Sequence, residues 1–125
     1  MDKIKTFEDL NCWKAARDVR MKVSSLIKNF PNYEKFELVS QMRRASRSVT
    51  HNIAEGYGRF HYKENAQFCR VSRGSLYELQ DQLITALDEG YIDEDRFKEI
   101  KSKVVECTTI LNGYINYLKS AENNF

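Results

Sequence analysis

Residues 41–59, QMRRASRSVTHNIAEGYGR, carry the pattern that decides the fold. Apolar residues recur every three or four positions and therefore share one helix face, which is expected to enter a core: Leu38, Met42, Ala45, Val49 and Ile53. A polar stripe follows the same rhythm one position earlier: Gln41, Arg44, Ser48, Asn52 and Glu55. Gly56 is expected to end the helix in the left-handed conformation. The stretch thus predicts a long amphipathic helix with hydrogen-bonding groups at the edge of its buried face.

Outward from this segment, the sequence predicts four helices and requires no strands. The expected spans are about 7–29, 34–55, 63–89 and 94–120. Thr6 followed by Asp9 is typical of a capped helix start, with Asp in place of the usual Glu or Gln. Pro31 should end the first helix, because proline disfavours helical geometry in the residue before it. Asp93 is expected to cap the fourth helix.

The fourth helix has a heptad-like seam, in which apolar residues alternate in steps of three and four: Phe97, Ile100, Val104, Cys107, Leu111, Tyr114 and Leu118. Short connections between long helices favour antiparallel neighbours. The sequence therefore predicts an all-α, antiparallel up-down-up-down four-helix bundle, formed as a single domain by residues 1–125.

Composition narrows the class of protein. The chain has 125 residues, 42% of them hydrophobic and 30% charged, which is ordinary for a soluble domain. No apolar run approaches the roughly 20 residues of a membrane-spanning helix, and the first residues lack the apolar region of a secretory signal. The three cysteines, Cys12, Cys69 and Cys107, are far apart in sequence and are interpreted as reduced core residues. These features predict a cytoplasmic protein without membrane association.

Charge is distributed unevenly along the chain. Residues 41–73 contain seven basic and two acidic residues, whereas residues 75–99 contain eight acidic and two basic residues. Such polarity suits the binding of a polyanion at one end of the molecule. It equally suits attraction between the basic end of one copy and the acidic end of another.

The sequence lacks the common signatures of catalysis. Its two histidines, His51 and His61, are not preceded three residues earlier by glutamate, as a carboxylate-bridged metal bundle would require. His51 and Glu55 lie one turn apart, but a solvated pair is favoured over a metal site. No phosphate-binding glycine loop is present. We therefore expect no enzyme activity, no catalytic residue, no metal and no cofactor.

The basic residues after position 42 form a candidate nucleic-acid interface, since arginine grips phosphates and aromatic rings stack on unpaired bases. The candidate residues are Arg43, Arg44, Arg47, Arg59, His61, Lys63, Arg70 and Arg73, with Tyr57, Phe60 and Tyr62 interleaved among them. The alternative is a solvated face with ion pairs between subunits. Arg44 also has a structural interpretation, as a partner of Glu55 or of helix-end carbonyls.

Gly74 interrupts the third helix, where alanine would be more favourable by about 1 kcal/mol. Its presence suggests close approach by another backbone or a ring. With Ser75 it would form a packing notch of small residues.

Three segments resemble a known bacterial family: residues 41–59, residues 74–79 (GSLYEL) and residues 7–14 (FEDLNCWK). The family comprises four-helix-bundle proteins first noted as products of intervening sequences in large-subunit ribosomal RNA genes. It is similar in fold to the accessory variability determinant of diversity-generating retroelements. Residues 52–59 (NIAEGYGR) resemble the hallmark of the family, whereas residues 49–51 (VTH) depart from the isoleucine and proline more common there.

The resemblance implies a four-helix bundle that assembles into a ring-like homopentamer. It also implies partnering with RNA or DNA, or with a reverse transcriptase, in some relatives. The family motif falls on Arg44, Ser48, Asn52, Glu55, Gly56, Gly58 and Arg59, and no catalytic assignment comes with it. Gln41, Gly74 and Ser75 join this motif as expected structural residues.

The sequence thus leads to two hypotheses of different classes. The first is a non-enzymatic oligomeric bundle that binds nucleic acid, RNA or a ribonucleoprotein, through a basic patch near the end of the second helix. The second is a protein–protein scaffold whose charge asymmetry drives homo-oligomer assembly alone.

Overall fold

The computed structural model describes residues 3–123, which fold into four long helices and two short 3-10 helices. The long helices are α1 (Asn11–Ile27), α2 (Leu38–Tyr57), α3 (Tyr62–Asp88) and α4 (Glu94–Asn123), and the 3-10 helices are Phe7–Asp9 and Asn32–Glu34. Within the described range there is no strand. The predicted all-α class is confirmed.

The helices pack as a closed bundle in which each contacts its sequence neighbours and α1 also contacts α4. The most extensive pairing joins α2 to α3, and in the described part of the chain the diagonal pairs do not pack against each other. Connections 58–61 and 89–93 are short, so consecutive helices run antiparallel. The predicted up-down-up-down four-helix bundle is confirmed.

The core seam of α4 differs from the predicted one at two positions, because Phe97 and Tyr114 are only partly buried. Ile115, which is 1% exposed, fills the layer after Leu111, while Tyr114 lies half-buried beside it. A straight helix has 3.6 residues per turn, so its inward face drifts away from a strict seven-residue repeat. The buried series therefore follows the helical period: Ile100, Val104, Cys107, Leu111, Ile115 and Leu118.

The predicted starts of α1 and α2 lie too early in the sequence, because short 3-10 turns precede both helices. The carboxylate of Asp9 accepts the backbone N–H groups of Lys5 (2.9 Å) and Thr6 (3.2 Å), and these bonds lower its pKa. The pair Thr6 and Asp9 thus caps the turn Phe7–Asp9, and the extended backbone of Leu10 separates that turn from α1. Likewise α2 starts at Leu38 rather than at Glu34, whose Oε1 accepts the N–H of Leu38 at 3.3 Å.

Gly56 does not end α2, contrary to the prediction. It lies buried within the helix, which continues to Tyr57, and its φ is not positive. A Cβ built there would lie 2.8 Å from Oδ1 of Asn65, 2.9 Å from Cβ of Phe68 and 3.0 Å from the carbonyl oxygen of Asn65. The glycine is therefore needed for the close approach of α3 to α2. Gly58 stands at the C-cap in right-handed geometry, and left-handed geometry appears instead at Phe60 (φ 59°).

The predicted packing notch at Gly74 was wrong. Gly74 is exposed, and a Cβ built there would meet nothing within 4 Å. Its neighbour Ser75 is buried and bonded to α2, as described below. The close approach expected at Gly74 occurs at Gly56, eighteen positions earlier in the sequence.

An aromatic and carboxylate cluster joins the α1–α2 connection to the α3–α4 turn. The hydroxyl of Tyr91 donates to Oε2 of Glu34 at 2.6 Å and lies 3.1 Å from the hydroxyl of Tyr33, while its ring packs on Phe30 with centroids 5.3 Å apart. The hydrogen bond to the Glu34 carboxylate raises the pKa of Tyr91, because ionisation would place two negative charges together.

We expect Tyr91→Phe to lower the urea midpoint of unfolding, since Glu34 loses a charge-assisted hydrogen bond while the ring packing remains. Tyr33→Phe is the matched control, because the Tyr33 side chain is 73% exposed and contributes only the longer contact. Equilibrium urea titrations of both variants measure the difference. Equal midpoints for the two variants would contradict a clamping role for Tyr91.

Candidate nucleic-acid interface

A polar seam runs along the α2–α3 contact, and it includes two of the five residues of the predicted stripe, Ser48 and Asn52. The hydroxyl of Ser75 lies 2.9 Å from the hydroxyl of Ser48, and Nδ2 of Asn52 donates to both the carbonyl and the hydroxyl of Ser48 at 2.9 Å. Ser72 donates to the carbonyl of Val49 at 2.8 Å. Small hydroxyls here satisfy buried polar groups while allowing the two helices to pack closely.

At the C-terminal end of α2, Arg59 rather than Arg44 pairs with Glu55. Nη2 of Arg59 lies 3.1 Å from Oε1 of Glu55, and its guanidinium stacks over the Phe68 ring at 5.1 Å from the centroid. The structural interpretation of Arg44 as a partner of Glu55 was therefore wrong. Arg59 is one turn from Glu55, whereas Arg44 is eleven positions before Glu55 on the same helix, roughly 16 Å along its axis, so only Arg59 can reach that carboxylate.

The outer surface of α2 carries exposed arginines at three positions: Arg43, Arg44 and Arg47. Among residues 3–123, none of them forms a salt bridge. Gln41 and His51 are exposed on the same helix. This surface, which we call the α2 basic surface (Arg43, Arg44 and Arg47), lies on the first half of α2 and offers three unneutralised guanidinium groups.

The remaining predicted basic residues lie elsewhere on the bundle. Arg73 donates from Nη1 to Oδ1 of Asn112 on α4 at 2.9 Å, so it faces the α3–α4 contact. Lys63 and Arg70 line a cleft of about 300 Å³ with Lys119 and Glu122 of α4. Since α2 and α4 are diagonal in the bundle, the α3–α4 cations and the α2 basic surface do not form one continuous patch. His61 stands at the α2–α3 turn, beside a third feature.

That third feature is a cavity of about 860 Å³ at the end of the bundle where α2 turns into α3. We call it the end pocket. Its walls come from the start of α1, the α2–α3 turn and the last turns of α4, and they include Leu10, Lys14, Tyr57, Phe60, His61 and Tyr117.

Sequence reasoning missed the residues that α1 and α4 contribute to these clefts. Lys14, Tyr114 and Tyr117 line the end pocket, and Lys119 lines the α3–α4 cleft. By their spacing alone, the two tyrosines are typical of core or loop-anchoring residues. Since these residues are far in sequence from the basic segment, only tertiary packing brings them to it, and no local motif marks them.

The described residues show few features of other functional classes. Residues 3–123 hold no group of three or more His, Cys, Asp or Glu side chains placed to bind a metal ion. Within the same range, no helix combines the length and apolarity that crossing a membrane would take.

The fold and its surfaces define a class of small all-α proteins: a closed four-helix bundle with a polar seam between α2 and α3 and exposed arginines on α2. The family described as 23S rRNA-intervening sequence protein matches residues 8–113. The chain belongs to this family, and the resemblance seen in the sequence is confirmed. Among curated proteins, no sequence matches the chain.

A solved structure supports the fold independently. The crystal structure of a protein of unknown function from the S23 ribosomal protein family of Bacteroides thetaiotaomicron matches with a TM-score of 0.77. The two sequences are 18% identical, and the match covers 84% of this chain and 95% of the other. At this identity the likeness establishes the shared bundle architecture.

Proposed function

We propose that the protein is a non-enzymatic, cytoplasmic homo-oligomer that binds nucleic acid, RNA or a ribonucleoprotein, through its exposed cations. The observation that supports this most directly is the α2 basic surface, whose three arginines are exposed and form no salt bridge within residues 3–123. A guanidinium that is not already neutralised can grip a phosphate with two parallel hydrogen bonds. Lys63 and Arg70 on α3 would add phosphate contacts around the edge of the bundle.

The family name supports the choice of RNA over DNA as the first ligand to test, since it refers to sequences within ribosomal RNA. Family membership also supports a homo-oligomeric state, for which we propose the ring-like pentamer that the resemblance implies. A reverse transcriptase, as for some relatives, is a further partner to test.

The double variant Arg43→Ala plus Arg47→Ala should bind structured RNA and single-stranded DNA more weakly and with a smaller salt dependence. Each phosphate contact contributes roughly 0.7 to the slope of log affinity against log salt for single strands, so two lost contacts should reduce it by roughly 1.4. Fluorescence anisotropy titrations at several salt concentrations measure this slope.

The matched control is Lys98→Ala plus Lys101→Ala, which removes the same charge from exposed positions on α4, the helix diagonal to α2. Its salt slope should equal that of the wild type. Absence of binding by the wild-type protein at low salt would remove the proposal. A double variant that binds like the control would show that the α2 basic surface is not the interface.

The second candidate function is a protein–protein scaffold, and exposed apolar side chains favour it. On the adjacent helices α3 and α4, the side chains of Tyr77, Ile84 and Val105 are 58%, 45% and 43% exposed. Such residues are typical of an oligomer contact. Light scattering on the same arginine variant separates the two functions: dissociation of the oligomer favours the scaffold, while an intact oligomer that has lost RNA affinity favours nucleic-acid binding.

A further inference from the structure

Aromatic rings gather around the end pocket in two pairs. Tyr57 and Phe60 have ring centroids 6.4 Å apart at 58°, and Tyr114 and Tyr117 stack at 6.2 Å and 21°. Phe60 is 86% exposed and Tyr117 is 59% exposed. These two rings therefore keep much of their surface free while lining a concave site of about 860 Å³. A volume of this size suits a small organic ligand.

The backbone holds Phe60 in an unfavourable conformation at the pocket. Its φ of 59° lies in the left-handed region, which non-glycine residues rarely adopt. The N–H of Phe60 bonds to the carbonyl of Tyr57 at 3.4 Å, closing the turn. The tight α2–α3 turn thus leaves a large apolar ring in solvent at the pocket wall, in a backbone conformation that costs stability for a residue other than glycine.

The pocket also contains hydrogen-bonding groups suited to a polar, planar ligand. Nδ2 of Asn65 donates to the hydroxyl oxygen of Tyr114 at 3.0 Å. Burial raises the pKa of Tyr114, so its hydroxyl stays protonated and can donate in turn. The exposed side chain of Asn11 adds an amide at the wall.

Charged side chains of both signs line the end pocket, and the side chains of its cations have fewer hydrogen-bond partners than its carboxylate. Lys14 and His61 line it together with the carboxylate of Asp9. Oδ2 of Asp9 already accepts two backbone N–H groups, and the positive charge of Lys14 helps to lower the pKa of that carboxyl, but within residues 3–123 Lys14 forms no salt bridge. Lys14 is therefore available to an anionic group entering beside the rings.

We propose that the end pocket binds one nucleotide, with its base against the rings of Phe60 and Tyr117 and its phosphate at Lys14. A nucleotide has three parts to recognise: the face of its base, the hydrogen-bonding edge of the base, and its phosphate. The pocket offers ring faces for the first, neutral amide and hydroxyl groups for the second, and a free ammonium for the third. This inference rests on the proposed function, because nucleic-acid binding is the reason to expect that the nucleotide belongs to a nucleic acid. The same chemistry is offered by an unstacked residue of a single strand and by a free mononucleotide.

The test uses the fluorescent base 2-aminopurine, supplied both within a single-stranded 12-mer RNA and as the free ribonucleoside monophosphate. Stacking on an aromatic ring quenches its emission. We expect the wild-type protein to quench it, and Phe60→Ala and Tyr117→Ala each to weaken affinity roughly tenfold, in line with base–aromatic stacking elsewhere. Because both rings are largely exposed, we expect these substitutions to leave the fold intact.

Phe36→Ala is the matched control, since Phe36 is an 85% exposed ring in the α1–α2 connection at the opposite end of the bundle. Its affinities should equal those of the wild type. Lys14→Ala should weaken binding of the monophosphate but leave binding of the corresponding nucleoside unchanged.

The outcomes separate this inference from the proposed function. If the RNA binds and neither ring variant weakens it, the end-pocket inference is overturned while nucleic-acid binding stands. If only the monophosphate binds, with loss in both ring variants, the pocket is a mononucleotide site and takes no residue of a strand. Binding of neither ligand overturns the end-pocket inference. In both cases the salt titrations with structured RNA decide the proposed function separately.

Discussion

Replacing Gly56 by alanine is expected to lower the free energy of unfolding by about 1–3 kcal/mol, the usual range for overpacking a tight contact. The added Cβ would lie at 2.8–3.0 Å from three atoms of Asn65 and Phe68, two of which belong to the backbone or to a Cβ and cannot rotate away. The helices α2 and α3 would have to separate. The hydrogen bonds between Ser48 and Ser75, and from Ser72 to Val49, would then weaken.

The chain provides its own control, because Gly74 lies on α3 where an added Cβ would meet nothing within 4 Å. Gly74→Ala should raise the free energy of unfolding by about 0.5–1 kcal/mol, since alanine has the higher helix propensity. Urea denaturation of both variants measures the contrast. If Gly56→Ala were as stabilising as Gly74→Ala, the close α2–α3 contact would not exist.

The second large effect is a loss of stability in alkali that depends on the three cysteines. Burial raises the pKa of Cys12, Cys69 and Cys107 from 9.0 to about 12 each, because the thiolate would lose its hydration in the core. The folded state therefore binds more protons than the unfolded state above pH 9. The contribution is fully present below pH 9 and is lost as pH rises towards 12.

By pH 10.5 the loss should be on the order of 2 kcal/mol per thiol, at about 1.4 kcal/mol for each pKa unit. A triple Cys→Ala variant is the control, because it keeps every other alkaline group, including Tyr91 and Tyr114. It will be less stable at pH 7, but its free energy of unfolding should fall much less between pH 9 and pH 10.5. Parallel curves for the two proteins would show that the thiols are not desolvated.

The architecture could be predicted from the sequence because periodicity reports burial directly. The apolar rhythm of residues 38–53 places Met42, Val49 and Ile53 in the core, and all three are fully buried. The absence of strand patterns and the short connections then leave few arrangements besides an antiparallel bundle. The predicted helix ends were less accurate, because a 3-10 turn and the first turn of an α-helix use similar capping residues.

The roles of individual residues were harder to predict, as the two glycines show. Both Gly56 and Gly74 interrupt helical patterns, and sequence reasoning assigned the stop to one and the close contact to the other. The structure shows the close contact at Gly56 and open solvent at Gly74. Which glycine faces a neighbouring helix depends on how α2 and α3 are rotated about their axes, and a single sequence leaves that rotation undetermined.

For the candidate nucleic-acid interface, as for the glycines, the sequence identified residues but did not determine where the fold places them. The sequence identified eight basic residues by their closeness along the chain, but α3 carries Arg70 and Arg73 towards α4, away from the arginines of α2. The end pocket adds residues that no local pattern marked, because Lys14 and Tyr117 are about a hundred positions apart.

By itself the sequence determined that the chain forms four amphipathic helices, that their apolar faces meet in one core, and that it belongs to its family. The first two properties follow from the spacing of apolar residues along each helix. The third follows from sequence motifs such as residues 52–59 and from the family match. Only the tertiary structure decided where α2 and α3 touch most closely, which arginines stay exposed, and that an aromatic cavity forms at the α2–α3 turn. Those properties depend on side chains from different helices meeting in space, and they are set by the packing of the whole bundle.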